Sequence, residues 1–311
     1  MSRRPVFHEG ELAVQARAGV AEAARQTERV IRDRLIPGVE GFIRSQPLVF
    51  CASIDRGGNV WASMIQGAPG FVGVTDDHAL EVTLDAAGLD AGDPLWANIA
   101  GDPRIGLLLI EFHSRRRLRI NGDAARPSPE RLTVAVHASY PNCPKYIQGR
   151  QPSGTWVATA PVAERAGALL DEELVSALTR AGTLFVASAH PEGGADMSHR
   201  GGRPGFVHVL DAATLRIPDY AGNNLFNTLG NFQSYPRAGL LLADFRTGRT
   251  FQIIGRPEIE WNARHPGQAT GGTQRYWRLH VEQWRAASLP KRMDWAFLDY
   301  SPHLPPESDP R

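Results

Sequence analysis

The chain has few cysteines, no long apolar segment and no N-terminal signal pattern. Its two cysteines, Cys51 and Cys143, cannot build a disulfide framework, which favours a reducing compartment. No uninterrupted apolar run approaches the length needed to cross a membrane. The N-terminus turns acidic before any apolar core could form, which argues against a secretory signal. We therefore expect a soluble, cytoplasmic protein.

Several catalytic and metal-binding motifs are also absent. The ten histidines show no HxxxH or HExxH spacing and there is no CxxC, so we expect no zinc site and no other metal. The lack of GxGxxG and of GxSxG argues against a dinucleotide fold and against a hydrolase elbow. With 34 Lys+Arg against 33 Asp+Glu, the overall charge favours neither nucleic acid nor a membrane surface as a partner.

What the sequence does contain is an internal repeat. Residues 50–74 align without a gap with residues 185–209, and the same Pro-Gly-Phe-Val segment begins at Pro69 and at Pro204. Further on, Pro103 begins a segment that matches the one beginning at Pro236 over most of the following twenty residues. Matches in the same order over this span predict a tandem duplication.

Each copy contains about six short strand-like segments with glycine turns and one small helix, at 94–99 in the first copy. Short strands without strand–helix alternation predict an antiparallel barrel. Amphipathic patterns predict longer helices over 11–35 and 163–180. The predicted fold is mainly β (α+β), with two tandem six-stranded barrels and short flanking helices. We assign the first barrel to residues 1–150 and the second to residues 160–311.

The second copy contains two features suited to an anion. At 200–203, Arg-Gly-Gly-Arg places two guanidinium groups beside glycines, whose backbone freedom lets successive N–H groups converge. One hairpin later, Gly222-Asn223-Asn224 is typical of a turn and N-cap before a predicted helix over 225–232. A helix N-terminus carries free N–H groups and partial positive charge. Each feature alone is more typical of an ordinary turn, but together they predict a phosphate site.

The first copy differs at these positions. Ile65 and Ala68 stand where the second copy has its two arginines, and the loop before the small helix contains Asp90 and Asp93. Carboxylates repel a phosphate in a poorly solvated site. We therefore assign the phosphate site to the second copy alone.

Two further segments are candidates for weaker roles. The basic run at 115–119 would, as a strand, turn Arg117 and its second neighbours to one side, either towards a ligand or into solvent at a strand end. Cys143 lies between two prolines with Lys145 nearby, an arrangement that could favour the thiolate. More often, such a segment between two copies is a rigid turn that docks one unit on the other.

Several segments of the chain resemble a known family, the FMN-binding split-barrel proteins related to pyridoxamine 5′-phosphate oxidase. The resemblance is to the predicted flavin-nucleotide-binding branch in its tandem, two-unit form. In the second copy it rests on 197–207, 217–224 and 228–241, and in the first on 7–11, 115–122 and 140–148. It covers most of residues 7–260.

The resemblance implies split barrels with FMN in a groove where two barrels meet. The chain lacks the Arg-x-x-x-x-Lys phosphate pattern and the substrate-binding C-terminus of the oxidase, so vitamin B6 oxidation is not implied. Arg117 corresponds to the strand from which the other barrel reaches the flavin. The phosphate candidates carried over are Ser198, Arg200, Arg203, Asn223, Asn224 and Thr228.

The function expected first is an FMN-dependent oxidoreductase acting on an unknown small molecule. A non-catalytic flavin carrier or sensor would need the same residues. Haem binding or breakdown, as in related split barrels, would need a ligand such as His199 or His208. The deazaflavin F420 or FAD could replace FMN. We expect the two barrels to form an intramolecular pseudo-dimer with one flavin per chain, or two chains to associate further into a homodimer.

Overall fold

The structure is a computed structural model that describes residues 6–86, 89–160, 162–265 and 269–306. The N-terminal unit begins with three helices, α1 (Glu9–Arg17), α2 (Ala21–Thr27) and α3 (Glu40–Ser45). Its strands are β1 (Leu48–Ile54), β2 (Val60–Gln66), β3 (Val72–Asp76), β4 (Ala79–Thr83), β5 (Arg104–Glu111), β6 (Arg116–Ser128) and β7 (Arg131–Pro141), with α4 (Pro94–Gly101) before β5.

The linking segment contains β8 (Gly149–Ala158), and β9 (Arg165–Gly167) and α5 (Glu172–Arg180) lead into the second unit. The C-terminal strand, β17 (Lys291–Asp299), pairs with β8 in a separate two-stranded sheet. The remaining elements are β10 (Thr183–His190), β11 (Gly194–Gly201), β12 (His208–Asp211), β13 (Thr214–Pro218), α6 (Asn227–Ser234), β14 (Ala238–Asp244), β15 (Arg249–Glu260) and β16 (Tyr276–Ser288).

The two large sheets have the same topology. Their strand orders are β2-β1-β5-β6-β7-β4-β3 and β11-β10-β14-β15-β16-β13-β12, with every neighbouring pair antiparallel. Each strand of the first unit therefore has an equivalent in the second. This arrangement confirms the predicted mainly β class and the two barrel-like units. Each path has seven strands rather than six, because β7 was missed in the first copy.

Each sheet encloses its own apolar core, and a third apolar cluster joins the two units. At the centre of the joint, Phe50 and its equivalent Phe185 stack with ring centroids 3.5 Å apart. A Cβ added to Gly106 would lie 2.6 Å from the backbone of β11, and one added to the equivalent Gly239 would lie 2.4 Å from the backbone of β2. Equivalent residues thus make equivalent contacts, so the units are related by an approximate two-fold axis.

The flanking helices are shorter than predicted. The segment 11–35 forms α1 and α2 with Gly19 between them at φ +71°, a conformation that ends the first helix at low cost. The predicted helix over 163–180 begins only at Glu172, because the preceding residues form β9 and pair with β16. In the described part of the chain, no helix has the length and apolar character needed to span a membrane.

Candidate functional site

A cavity of about 740 Å³, including its open mouth, lies where β6 of the first unit faces β11 and α6 of the second. Two arginines enter it from β6, Arg117 and Arg119, and a third, Arg200, enters from β11. The linking segment contributes Cys143 and Tyr146. The site therefore combines residues from both units and from the segment that joins them.

The structure brings most of the predicted site residues together. Ser198 is fully buried and does not line the cavity, but its hydroxyl accepts a hydrogen bond from Arg200 Nη1 at 3.0 Å and lies 3.1 Å from Thr228 Oγ1. Arg203 is not among the lining residues, and its guanidinium lies 4.8 Å from the centre of the Tyr300 ring. The predicted residues that line the cavity are Arg117, Arg200, Asn223, Asn224 and Thr228.

The loop before α6 differs from the predicted N-cap. The helix begins at Asn227, and the N-cap position is held by Phe226 at φ 60° with no capping side chain. The Asn223 carboxamide instead accepts a hydrogen bond from the Leu225 N–H at 3.2 Å inside the loop. The helix therefore begins two residues later than predicted. The first turn of α6 still lines the cavity, and its N–H groups have no intrahelical partner.

Charge around the cavity is only partly balanced. Arg119 forms a buried ion pair with Asp196 at 2.8 Å, and Asp219 is paired with Arg275 at 2.8 Å. Arg117 instead donates from Nε to the Cys143 carbonyl at 2.9 Å, and in the described residues no carboxylate lies within ion-pair distance of it. Burial lowers the pKa of Arg117 to about 10, so the guanidinium stays charged at neutral pH.

Arg200 is also poorly compensated. Its Nη2 lies 3.9 Å from Asp219, whose carboxylate is already engaged by Arg275. Its Nε is buried without a hydrogen-bond partner. Burial lowers the pKa of Arg200 below its usual value, which reflects the cost of holding this charge away from water. An anion between Arg117 and Arg200 would therefore balance both guanidinium charges and accept hydrogen bonds from their unpaired donors.

His199 and two tyrosines complete the wall. His199 is 3% exposed, and its pKa lies well below the ordinary value because of burial and the nearby Arg117, so the imidazole is neutral. Its Nδ1 lies 3.5 Å from Arg117 Nη1, and its Nε2 has no hydrogen-bond partner. The rings of Tyr146 and Tyr220 lie 4.9 Å apart and form an aromatic part of the cavity wall.

Sequence reasoning missed several of these residues. Arg119 was visible in the basic run, where the alternation of a strand puts it on the same side as Arg117. Arg115 does not share that side, because it precedes β6 at φ 55° and reaches Asp299 and the Ile147 carbonyl instead. No local pattern identified Tyr146, which reaches the cavity only because the linking segment crosses between the units.

Strand register makes the two units directly comparable at this site. Arg200 pairs with Leu184 in β10–β11, and the equivalent pair in β1–β2 is Ile65 with Val49. In the same way, Arg117 on β6 corresponds to Thr250 on β15. Arg117 and Arg200 therefore have no arginine equivalents at the other place, where Thr250 and Ile65 stand. The sequence comparison predicted this difference for Arg200.

No protein-family model and no curated protein matches the chain. Among solved structures, it is similar to a putative pyridoxamine 5′-phosphate oxidase from Lactobacillus delbrueckii, with 16% identity over 38% of this chain and 94% of that chain and a TM-score of 0.31. A FAD-binding protein from Mesorhizobium loti gives 16% identity, coverages of 41% and 100%, and a TM-score of 0.29. HutZ, the haem storage protein from Vibrio cholerae, gives 14% identity over 33% of this chain and 89% of that chain, with a TM-score of 0.24. Similarity at this level carries no information about a ligand or a reaction.

Proposed function

We propose that the cavity binds FMN through its phosphate and that the chain is an FMN-dependent oxidoreductase. The observation that carries the proposal is a pair of half-buried arginines beside the first turn of α6: Arg117, with no carboxylate of the described residues in ion-pair distance, and Arg200, which has only the shared Asp219 at 3.9 Å. A phosphate monoester carries close to two negative charges at neutral pH and offers three acceptor oxygens. Helix N-termini and arginines are the groups that bind such a ligand best.

The unsatisfied atoms of the site support an acceptor-rich ligand. Arg119 Nε and Arg200 Nε are buried donors without a partner. His199 Nε2 is also buried without a hydrogen-bond partner. Because Nδ1 faces the Arg117 guanidinium, which can only donate, the imidazole proton lies on Nε2. The tyrosine surface offers a face for a planar ring. Bound flavin would supply hydride or electron transfer, while these residues orient it and exclude water.

Haem is the second candidate, because His199 is neutral and lines the cavity. A neutral imidazole can ligate iron through an unprotonated nitrogen. Here the neighbouring guanidinium favours the lone pair on Nδ1 and the proton on Nε2, which leaves no free lone pair for iron. His208, the other candidate ligand, lies on β12 and is not among the lining residues. The donor set therefore favours a flavin phosphate over haem.

The absorption spectrum of the purified protein tests the proposal. We expect flavin bands, or their recovery when FMN is added to protein that has lost it, with one FMN per chain at saturation. Bleaching by NADH or NADPH would support an oxidoreductase, whereas stable flavin bands under those conditions would favour a carrier. A Soret band, or failure to bind added FMN at micromolar concentrations, would overturn the proposal. Arg104→Ala, which removes a partly buried arginine paired with Asp102 outside the cavity, is the matched control for arginine loss.

A further inference from the structure

A second cavity lies beside the joint between the two units. It encloses about 770 Å³, including its open side, and is formed by the end of α5, the start of β10 and the end of β14. The linking segment contributes Arg150 from β8. None of the residues that line this cavity also lines the one assigned to FMN. It is therefore a separate place, and the FMN proposal gives it no role.

This second cavity has an excess of positive charge. Arg150, Arg180 and Arg246 line it, and Asp244 is the one carboxylate among the lining residues that the structure describes. The Asp244 Oδ1 accepts from the Arg246 N–H at 2.9 Å, and the two side chains lie 4.0 Å apart. Arg180 donates to the Ser176 hydroxyl rather than to a carboxylate. A single carboxylate thus faces three guanidinium groups.

Arg150 is held beside the cavity with part of its guanidinium unpaired. Its Nη2 donates to Gln148 Oε1 at 3.1 Å, whereas its Nε is buried without a hydrogen-bond partner. The guanidinium lies over the rings of Phe245 and Phe297, at 5.7 and 5.6 Å from their centres. Burial lowers the pKa of Arg150 below its ordinary value. The two rings fix the position of the charge, but they do not supply the acceptor that Nε lacks.

Thr183 brings an unpaired hydroxyl to the same cavity. It is 7% exposed, and its Oγ1 is buried without a hydrogen-bond partner. By strand register its equivalent in the first unit is Leu48, which belongs to the apolar cluster that joins the units. A buried hydroxyl without a partner costs free energy that an aliphatic side chain at this place would not. A ligand that accepts from Thr183 would offset this cost.

We propose that this cavity is a second anion site, which takes a small organic anion consisting of an apolar group and a carboxylate or phosphate. The anionic oxygens accept from Thr183 Oγ1 and from the Arg150 guanidinium, because these are the donors at the cavity that lack partners. The apolar group lies against Phe245 and the aliphatic residues of β14. The proposal does not depend on which ligand the first cavity binds.

The test measures the Kd of benzoate and of phenyl phosphate by isothermal titration calorimetry. The two probes share an aromatic ring and differ in the anionic group. The site variants are Arg150→Met, which keeps an apolar side chain over the two phenylalanine rings, and Thr183→Val, which keeps the shape but removes the hydroxyl. All proteins carry Arg200→Ile, so that anion binding at the FMN cavity is weakened throughout.

Thr270→Val is the matched control for the loss of a threonine hydroxyl. Thr270 is also 7% exposed, but its Oγ1 accepts from the Gln274 N–H at 2.9 Å and it does not line the second cavity. In the absence of any probe, Thr270→Val should lower the Tm because it leaves that N–H unpaired, whereas Thr183→Val should leave the Tm unchanged or raise it. Equal losses of Tm would show that the Thr183 hydroxyl is already paired within the protein and would overturn the proposal.

We expect the Arg200→Ile parent to bind at least one probe saturably at millimolar concentrations. Arg150→Met and Thr183→Val should each raise the Kd of that probe at least about tenfold, and Thr270→Val should leave it unchanged. The probe with the lower Kd identifies the anionic group that the site prefers. Absence of saturable binding for both probes, or a Kd that stays the same in either site variant, would refute a second anion site.

Discussion

Replacing Arg200 with isoleucine should weaken FMN binding without destabilising the fold. Isoleucine is the residue that the chain itself carries at the equivalent place, Ile65, where it is 1% exposed in the core of the first unit. The substitution removes a half-buried guanidinium whose Nε is buried without a hydrogen-bond partner. Its loss leaves Asp219 paired with Arg275 at 2.8 Å, so no buried carboxylate is left without a partner and the stability should change little.

The expected loss of affinity follows from the contacts that the guanidinium can make. A hydrogen bond to a charged group contributes about 1.5–3 kcal/mol, which corresponds to a roughly 10- to 150-fold higher Kd for FMN. Riboflavin has the same ring system but no phosphate, so its Kd should change little. Fluorescence titration of both ligands separates the phosphate term from the ring term.

The combination of results distinguishes a phosphate contact from general damage. Arg200→Ile should raise the Kd for FMN far more than that for riboflavin, while the Tm of the ligand-free protein stays the same or rises. Arg104→Ala should leave both Kd values unchanged, because that side chain pairs with Asp102 outside the cavity. Equal losses for FMN and riboflavin, together with a lower Tm of the ligand-free protein, would refute the assignment of Arg200 to the phosphate.

Two further predictions concern pH and thiol chemistry. Burial raises the pKa of Glu11 from 4.5 to about 7, so the folded state holds this proton more tightly than the unfolded state. The free energy of unfolding should therefore fall as the pH rises from about 4.5 to 7. Glu11→Gln should flatten this dependence in urea titrations. A pH profile unchanged by Glu11→Gln would contradict the assignment. Iodoacetamide should modify the half-buried Cys143 in the native protein and not Cys51, which is fully buried and whose thiol pKa burial raises, and saturating FMN should slow the reaction. Alkylation of Cys143 at the same rate with and without FMN would place the ligand elsewhere.

The fold class was predictable because its signals are local. Alternating apolar residues and glycine turns predicted most strands, and the repeat predicted a second unit of the same kind. The missed strand, β7, has the same alternation, with Leu132, Val134 and Val136 directed inwards. The helix limits were wrong where a tertiary contact decided them. The pairing of β9 with β16 took residues that the apolar pattern assigned to a helix.

The site was predictable only in part, because half of it is created by packing. The arginine–glycine segment identified Arg200, and the resemblance identified Thr228, which lines the cavity, and Ser198, which lies behind it in contact with both. Arg203 shares the same motif but reaches Tyr300, because neighbouring residues that leave a strand need not face the same side. Tyr146 could not be found from the sequence, since no local pattern indicates that the linking segment lies against the cavity.

The location of the cations argues that neither unit contains the site alone. Arg117 and Arg119 enter the cavity from β6 of the first unit, and Arg200 and the first turn of α6 come from the second. The second unit by itself would lose two of the three arginines, and the first would lose the helix N-terminus. The joint that brings them together depends on contacts with no tolerance for added volume, at Gly106 and Gly239. Because the approximate two-fold axis generates two such places, and Thr250 and Ile65 stand in the other where this one has Arg117 and Arg200, each unit contributes differently to the cavity.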